Sequence, residues 1–291
     1  MTSNLIIQAA DIETQDLKNL HGICNARGMD NREIEKINGD FAHQAFRILH
    51  VDITSKDQVQ DYCGAHQLDF GFVPHDATLA NIGLIAMDMD STLITIECID
   101  EIADYAGKKA EVAAVTRAAM RGEIDWPTSL RQRVAALAGL PESVLEKVYQ
   151  QRLKLSIGAE NLIAAAKKNN LKLLLVSGGF TFFTEKLTAR LGLDYAFANT
   201  LEIDSGVLTG RVIGELCDAN AKATHLRNTA SLLGLQASRV IAIGDGANDL
   251  MMMQAAGTAI AFHAKPVVRA GASFALNHVG LDGVLALFPA N

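Results

Sequence analysis

Two aspartates follow the apolar run IGLIAM at a spacing that raises a chemical question. Asp88 comes directly after the run, and Asp90 stands two residues later. In an extended chain, side chains at positions i and i+2 point the same way, with Cα atoms roughly 7 Å apart. Like charges at the end of a buried strand repel each other and resist the loss of water. Such a pair indicates chemistry, and a bound cation would remove the repulsion.

Two further apolar runs end in polar residues of a similar kind. LKLLLV leads into SGG, which begins at Ser177, and RVIAIG leads into GDGAND, which contains Asp245 and Asp249. One acidic strand end alone could be a turn or a helix cap. In a parallel sheet, however, the carboxyl ends of the strands gather at one edge, where such folds bind ligands. We therefore expect one site to contain these residues: Asp88, Asp90, Ser177, Asp245 and Asp249.

A cluster of carboxylates without a basic excess calls for a metal ion. Oxygen ligands alone favour Mg²⁺, which binds through a few carboxylates and a substrate phosphate. The hydroxyl and backbone amides of SGG suit phosphate oxygens. The chain contains no G-x-x-x-x-G-K-[ST], and GDGAND does not fit G-x-G-x-x-G. The sequence therefore excludes a P-loop and gives no dinucleotide-binding motif at that turn.

The positioning elements belong to an α/β domain that we place at 79–291. Strand-like runs alternate with helical segments, which predicts a Rossmann-like parallel sheet. The predicted strands are 82–87, 171–176, 239–244 and 258–262, with a hairpin formed by 195–203 and 207–214. At about 96–155 there are four helical segments and no convincing strand. Such an insertion after the first strand would form a helical-bundle cap over the carboxyl end of the sheet.

The sequence pattern of residues 1–78 predicts a separate, smaller α+β unit. Two helical segments, the first ending at Gly28, alternate with four strand-like runs in the order β-α-β-β-α-β. This order is typical of a ferredoxin-like sandwich. The unit resembles ACT-like regulatory domains in topology alone, so a role in amino-acid sensing or in forming a homodimer stays open.

Composition and charge narrow the classes of protein. The chain has 291 residues, of which 49% are hydrophobic, and its formal charge of −7 disfavours nucleic-acid binding. No apolar run approaches the roughly 18–20 residues of a membrane-spanning helix, and the N-terminus shows no secretory pattern. Four scattered cysteines predict neither a disulfide framework nor a zinc site. We expect a cytoplasmic protein with no membrane and no nucleic acid among its partners.

The motifs as a set resemble a known superfamily. DMDSTLI, SGGF, Lys222 and GDGANDLMM look like the motifs of the haloacid dehalogenase superfamily of phosphohydrolases, and the resemblance covers about residues 82–291. Within it, ECIDEIADYAG, MRGEIDWPTSLRQRV and GLDYAFAN are similar to the phosphoserine phosphatase family. The resemblance implies Mg²⁺-dependent hydrolysis of O-phospho-L-serine to serine and phosphate, the last step of serine biosynthesis. The alternatives are another small phosphorylated amino acid as substrate, or phosphotransfer between hydroxyls.

The resemblance also implies catalytic roles. Asp88 matches the nucleophile that forms an aspartyl-phosphate, and Asp90 matches the general acid and base. Mg²⁺ would be held by the Asp88 side chain, the Asp90 carbonyl and Asp245, with Asp249 in support. Taken alone, Lys222 would be a solvated lysine at a helix start, where its charge opposes the helix dipole and calls for a compensating anion. The residues that match phosphate and substrate binders are Ser177, the Gly178 amide, Lys222 and Asn248.

Substrate choice is expected to lie in the inserted helices. Glu97 matches the residue that meets the ammonium group, and Arg133 the one that binds the carboxylate through its planar fork. Arg131 is close enough in sequence to be the alternative carboxylate partner. Met120 and Trp126 match apolar positions that would exclude water over the site. An aromatic residue, often a smaller one, usually stands where this chain has Trp126.

Overall fold

The N-terminal part forms a four-stranded antiparallel sheet with two helices. In the computed structural model, which describes residues 2–24 and 34–289, the strand order is β2-β3-β1-β4. The elements are β1 (Thr2–Ala9), α1 (Thr14–Cys24), β2 (Ile34–Lys36), β3 (Gln44–Asp52), α2 (Lys56–His66) and β4 (Asp69–Pro74). This is the expected order of strands and helices. The predicted end of the first helix at Gly28 lies outside the described residues.

The central strands of this sheet bury side chains on both faces, because successive side chains of a strand point to opposite faces. On β1, Leu5 and Ile7 pack with the helices, in a cluster that includes Leu20 of α1 and Val59 of α2. Ile6 points the other way and joins the main hydrophobic core. The first unit is therefore packed onto the rest of the chain by side chains on one face of its sheet, although β2 at the edge is exposed.

A second sheet of seven strands organises the remainder of the chain. Its order is β11-β10-β9-β5-β6-β7-β8; all neighbouring strands are parallel except β7 and β8, which are antiparallel. The strands are β5 (Leu84–Met87), β6 (Lys172–Phe180), β7 (Tyr195–Asp204), β8 (Val207–Ile213), β9 (Val240–Gly244), β10 (Thr258–Phe262) and β11 (Phe274–Leu276). The predicted mostly parallel α/β sheet is confirmed.

Two strands differ from the expectation. β6 continues through the SGG stretch to Phe180, whereas the sequence placed its end at 176. β11 was not predicted, because three residues are too few to show a strand periodicity. The sequence therefore identified the centre of the sheet better than its edge.

Helices cover the second sheet and fill the connection between β5 and β6. Four of the five helices in that connection form the inserted segment at about 96–155: α3 (Cys98–Tyr105), α4 (Lys109–Met120), α5 (Trp126–Ala135) and α6 (Ser143–Gln151). Its two ends are joined by backbone hydrogen bonds from Thr95 N to Lys154 O and from Ser156 N to Leu93 O, each 3.0 Å long. The other helices are α7 (Ala159–Lys168), α8 (Thr181–Leu191), α9 (Ala219–Leu232), α10 (Leu250–Ala255), α11 (Pro266–Ala270) and α12 (Gly283–Leu287).

One buried carboxylate ties the two sheets together. Asp69, the first residue of β4, is 1% exposed. Its oxygens accept hydrogen bonds from the backbone N–H groups of Asn277 (2.8 Å), His278 (2.8 Å) and Val279 (3.1 Å), just after β11. His43 makes a second polar contact: it hydrogen-bonds to Gln8 and lies within 3.8 Å of Asp282.

In the described part of the chain, no helix is long and apolar enough to cross a membrane.

Candidate active site

A cavity of about 480 Å³ lies at the carboxyl ends of the central strands, beneath the inserted helices. β5, β6 and β9 are neighbours in the sheet, so their last residues meet at one edge. The cavity brings together most of the residues selected from the sequence. Those that line it are Asp88, Asp90, Glu97, Trp126, Arg133, Gly178, Asp245 and Asn248.

The two aspartates after β5 are held apart by a tight turn at Met89–Leu93. Asp88 Oδ1 accepts a hydrogen bond of 2.7 Å from Met89 N, whereas Asp90 Oδ1 accepts one of 2.8 Å from Cys98 N at the start of α3. Ser91, which follows Asp90, adopts a positive φ of 55°, which is uncommon for a residue other than glycine. Burial raises the pKa of Asp90. The hydrogen bond from Cys98 N–H stabilises the carboxylate and so acts in the opposite direction, but burial is the larger effect.

Lys222 provides a buried cation beside the acids. Its side chain is 1% exposed, and Nζ lies 2.8 Å from Asp88 Oδ1 and 2.7 Å from Asp249 Oδ1. The lysine sits in the first turn of α9, where Asp218 Oδ1 caps the helix by accepting from Ala221 N at 2.9 Å. Burial alone would lower the pKa of Lys222, but Asp249 and Asp88 outweigh it and raise the pKa. Two carboxylates, those of Asp88 and Asp249, therefore provide the compensating negative charge that the sequence predicted beside this lysine.

Three carboxylates could bind a metal ion. One oxygen from each of Asp88, Asp245 and Asp249 lies within 4.8 Å of the other two. Thr92 Oγ1 donates to Asp245 Oδ1 at 3.3 Å, and Gly246 N donates to Asp249 Oδ2 at 3.0 Å, which orients both groups. Burial, with the charge of Asp249, raises the pKa of Asp245 to about 6. Burial and Asp249 also raise the pKa of Asp88 well above its ordinary range. A divalent cation would relieve both penalties.

The end of β6 contributes a rigid backbone to the same edge. Ser177 Oγ accepts from Gly179 N at 2.8 Å and donates to Asp90 Oδ2 at 3.4 Å. A buried residue of β7, Asn199, donates from Nδ2 to Gly178 O at 2.8 Å and accepts from Cys217 N at 2.9 Å. Sequence reasoning missed Asn199 as a functional candidate. The available signal was a single amide inside a strand whose neighbours are apolar, YAFAN.

The inserted helices supply the other wall of the cavity. Glu97 Oε1 accepts from Ser91 Oγ at 2.8 Å. Glu97 is accessible from the cavity, but the surrounding protein displaces much of the water around its carboxylate. This desolvation, together with the negative charge of Asp90, raises the pKa of Glu97 to about 7. Arg133 lines the cavity, whereas Arg131 is exposed and does not. The geometry therefore favours Arg133 over Arg131.

The two apolar candidates, Trp126 and Met120, both come from the inserted helices. Trp126 begins α5 and packs so closely on β6 that a side-chain carbon added to Gly178 would lie 3.0 Å from its ring. Met120 is the last residue of α4, but its side chain lies outside the described part of the structure. Asp100 and Lys265 also line the cavity, and sequence reasoning selected neither.

Comparison with known proteins decides the family. Residues 85–254 match the family described as haloacid dehalogenase-like hydrolase, and this range contains the cavity residues from Asp88 to Asn248. The chain belongs to the haloacid dehalogenase-like hydrolases. The superfamily predicted from the sequence is thereby confirmed. The matched range includes β5, β6 and β9, and therefore the strand ends that carry the site.

The relatives of this hydrolase agree in their description. It is 53% identical over 223 residues to a phosphoserine phosphatase of Albidiferax ferrireducens, an alignment that covers 75% of this chain and 94% of the relative. A haloacid dehalogenase family hydrolase from Salmonella enterica serovar Typhi is 33% identical and superposes with a TM-score of 0.89 over 98% of this chain and 99% of its own. A probable phosphoserine phosphatase from Vibrio cholerae is 37% identical, with a TM-score of 0.81 over 98% and 86%. The predicted likeness to phosphoserine phosphatases and the predicted enzyme class, a phosphoric monoester hydrolase, are confirmed.

Proposed function

We propose that this hydrolase cleaves O-phospho-L-serine to L-serine and inorganic phosphate, the last step of serine biosynthesis. The observation that carries the proposal is one cavity in which a phosphoryl-transfer pair, Asp88 and Asp90, faces an amino-acid-recognition pair, Glu97 and Arg133. The relatives named phosphoserine phosphatase support the same substrate.

In the first step, a carboxylate oxygen of Asp88 attacks phosphorus, and the bond from phosphorus to the serine oxygen breaks. Asp90 gives its proton to that oxygen, so serine leaves as a neutral hydroxyl. The raised pKa of Asp90, caused by burial, supports this assignment because the group must start protonated. In the second step, water attacks the phosphorus of the aspartyl-phosphate while Asp90 accepts a proton from that water. The bond from phosphorus to the Asp88 oxygen breaks, which releases inorganic phosphate and restores the Asp88 carboxylate.

The donor set fits Mg²⁺. Asp88, Asp245 and Asp249 offer oxygen ligands close together, and the backbone carbonyl of Asp90 is proposed as a further ligand. When bound, the ion would supply charge neutralisation between the nucleophile and the phosphate. Removal of divalent ions with a chelator is expected to abolish turnover, and addition of Mg²⁺ to restore it. Full activity in the chelator would contradict the metal proposal.

Four residues are proposed to hold the phosphate. Lys222 is fixed within 2.8 Å of Asp88, so its charge lies where the attacked phosphoryl group must arrive. The Ser177 hydroxyl and the Gly178 amide come from the end of β6, and Asn248 approaches from the loop after β9. Hydrogen bonds to charged oxygens are stronger than those between neutral groups, which suits a site for a dianion.

Substrate recognition is assigned to the inserted helices. Arg133 would bind the carboxylate of phosphoserine, and Glu97 would accept from its ammonium. Trp126, over Gly178, and Met120 would keep water from the reacting atoms. We propose accordingly that 79–291 forms the catalytic domain and that about 96–155 acts as its cap.

The substrate proposal is tested with a panel of phosphomonoesters at saturating Mg²⁺. Phosphoserine is expected to have the highest kcat/KM, and Arg133→Ala to raise KM for phosphoserine far more than for a substrate without a carboxylate. Another phosphorylated amino acid with a higher kcat/KM would replace phosphoserine as the substrate, and transfer to an added alcohol in preference to water would make the enzyme a phosphotransferase.

The nucleophile is tested separately. Asp88→Asn is expected to abolish turnover and to give no phosphoryl-enzyme on denaturing gels after incubation with labelled substrate. Asp90→Asn is expected to turn over slowly, because the leaving serine oxygen then lacks its acid and the attacking water lacks its base. A labelled acyl-phosphate on the Asp88→Asn protein would contradict the assignment.

For residues 1–78 we propose an ACT-like unit that senses an amino acid or forms a homodimer. The strand order β2-β3-β1-β4 and the burial of α1 and α2 on one face of that sheet support it. Deletion of this unit is the test, with kinetics in the presence of L-serine and the mass in solution as readouts. Unchanged serine response and unchanged mass would exclude both roles.

A further inference from the structure

We propose that Asp100 is a substrate-binding residue that accepts a hydrogen bond from the ammonium group of the substrate, next to Glu97. The proposal rests on the proposed function and deepens it, since it concerns the amino-acid end of the same cavity. Asp100 lines that cavity together with Glu97 and Arg133.

The first observation is an unused acceptor. Oδ1 of Asp100 is buried and has no hydrogen-bond partner among the described residues. A buried acceptor without a partner costs stability, on the order of 1–3 kcal/mol and more when it is charged. Such a group beside a binding cavity is explained if the carboxylate turns to meet a ligand donor when the cavity fills.

The usual reason for an acid at this position does not apply. Asp100 is the third residue of α3, where an acidic side chain commonly reaches back to the amide of the N-cap residue, here Glu97. No hydrogen bond to that amide is formed by Asp100. The neighbouring Glu101, in the same helical turn, points away from the cavity and pairs with Arg152 at 3.0 Å. Asp100 therefore differs from its neighbour in two ways: it lines the cavity, and its charged neighbours, Arg133 and Lys109, lie beyond ion-pair distance.

The charges around the cavity point to the chemistry of the missing partner. Glu97 is the N-cap residue of α3 and Asp100 is the third residue of that helix, so both acids stand at the start of one helix and line the same cavity. Across from them stands Arg133, and among the described residues neither acid forms an ion pair with it. When both acids are ionised, they leave one negative charge in excess over the guanidinium.

An α-amino acid matches this arrangement. Its carboxylate neutralises Arg133, and its ammonium, with three donors, needs more than one acceptor. One oxygen of Glu97 is already engaged by Ser91 at 2.8 Å, so Glu97 alone offers a single free oxygen. Asp100 supplies the second charged acceptor. The pair would reject compounds in which a hydroxyl replaces the ammonium, since the excess charge then stays uncompensated.

Three substrates separate the groups that Asp100 could act on. Phosphoserine carries both the ammonium and the carboxylate, phosphoethanolamine carries only the ammonium, and 3-phosphoglycerate carries the carboxylate with a hydroxyl in place of the ammonium. The Mg²⁺-loaded wild-type enzyme is measured first. If it does not prefer phosphoserine over both analogues, the proposed function fails before Asp100 is tested.

The variant Asp100→Asn keeps the size of the side chain and removes its charge. We expect kcat/KM to fall by about tenfold or more for phosphoserine and phosphoethanolamine alike, mainly through KM, as for a lost hydrogen bond between charged groups. For 3-phosphoglycerate we expect no loss. Asp100→Glu should keep part of the preference for ammonium, and it remains informative if the Asn variant folds poorly.

Two outcomes would overturn the proposal. A loss confined to the carboxylate-bearing substrates would mean that Asp100 acts by positioning Arg133 instead. An equal loss on all three substrates would indicate a general structural role. Glu101→Gln is the matched control, because it removes an acid from the same helical turn outside the cavity, and the ratios among the three substrates are expected to stay as in the wild type.

Discussion

The ammonium of Lys222 lies 2.8 Å from Oδ1 of Asp88, and both side chains are almost completely buried. The contact joins residues 134 positions apart in sequence, one at the end of β5 and the other at the start of α9. It places a positive charge on the proposed nucleophile before any substrate arrives. The charge state of the site is therefore built into the folded protein.

Replacing this lysine should damage stability as well as activity. In Lys222→Met the carboxylates of Asp88 and Asp249 lose their cation while staying buried. Removal of one partner of a buried ion pair typically costs about 3–5 kcal/mol, so we expect a clear fall in the free energy of unfolding, measured with urea in metal-free buffer. Lys172→Met, which removes an exposed pair with Asp194, is the control with a small effect expected. Similar losses in the two variants would contradict this view.

A methyl group at Gly179 should displace the proposed acid. A Cβ built there would lie 2.5 Å from Asp90 Oδ2, closer than unbonded atoms approach. We expect Gly179→Ala to lower kcat by at least about tenfold, since small misplacements of catalytic groups are costly, with the protein still folded by circular dichroism. Gly22→Ala, at a helical position with nothing within 4 Å of the added carbon, should keep wild-type kinetics. Unchanged kcat in Gly179→Ala would show that Asp90 need not stay where it is.

The pH dependence of stability should reveal Glu97. Desolvation, with the charge of Asp90, raises its folded-state pKa from 4.5 to about 7. Between these two values the folded protein binds more protons than the unfolded chain, so the contribution of Glu97 to stability falls as pH rises through this window. Glu97→Gln should therefore stabilise the metal-free protein, with a gain in Tm that grows from about pH 5 to about pH 7 and then levels off. Glu215→Gln, at an exposed position, is the control. A gain that is the same across the series would be inconsistent with the raised pKa.

The junction of the two sheets should depend on Asp69. Asp69→Ala leaves three backbone N–H groups of residues 277–279 without their acceptor. Because the hydrogen bond from Val279 N is buried and an unsatisfied buried donor costs about 1–3 kcal/mol, we expect a loss of at least about 1 kcal/mol in the free energy of unfolding, with kcat of the folded protein little changed. Asp61→Ala, an exposed acid on α2, should have no comparable effect. An unchanged unfolding midpoint for Asp69→Ala would mean that the hydrophobic face of the first sheet suffices.

The single tryptophan offers a direct signal from the cavity. Trp126 is partly buried and packs against Gly178. If the inserted helices close further over a ligand, the ring loses water, and its emission should shift to shorter wavelength. Titration of the inactive Asp88→Asn protein with phosphoserine and Mg²⁺ checks this, with L-alanine as the non-binding control. No spectral change at saturation would indicate that Trp126 is already fully placed in the free enzyme.

Local sequence determined the parts of this protein that depend on short spacings. The i, i+2 spacing of Asp88 and Asp90, the SGG stretch and GDGAND identified the strand ends, because apolar runs of a buried parallel strand are visible without any partner. The four inserted helices and the β7–β8 hairpin were predicted for the same reason, since helical periodicity and turn residues are local signals. β11 was missed because three residues carry too little of either.

Only the tertiary structure decided which distant groups meet. The packing of helices and strands brings Lys222 next to Asp88 and lets Asn199 donate a hydrogen bond to Gly178. It also places Arg133 in the cavity and leaves Arg131 outside. Asp69 and Asp100 look alike in the sequence, one aspartate among others, yet one receives three backbone N–H groups and the other none. The physical reason is that burial and hydrogen bonding are set by neighbours far away in the chain, which leave no periodicity to read.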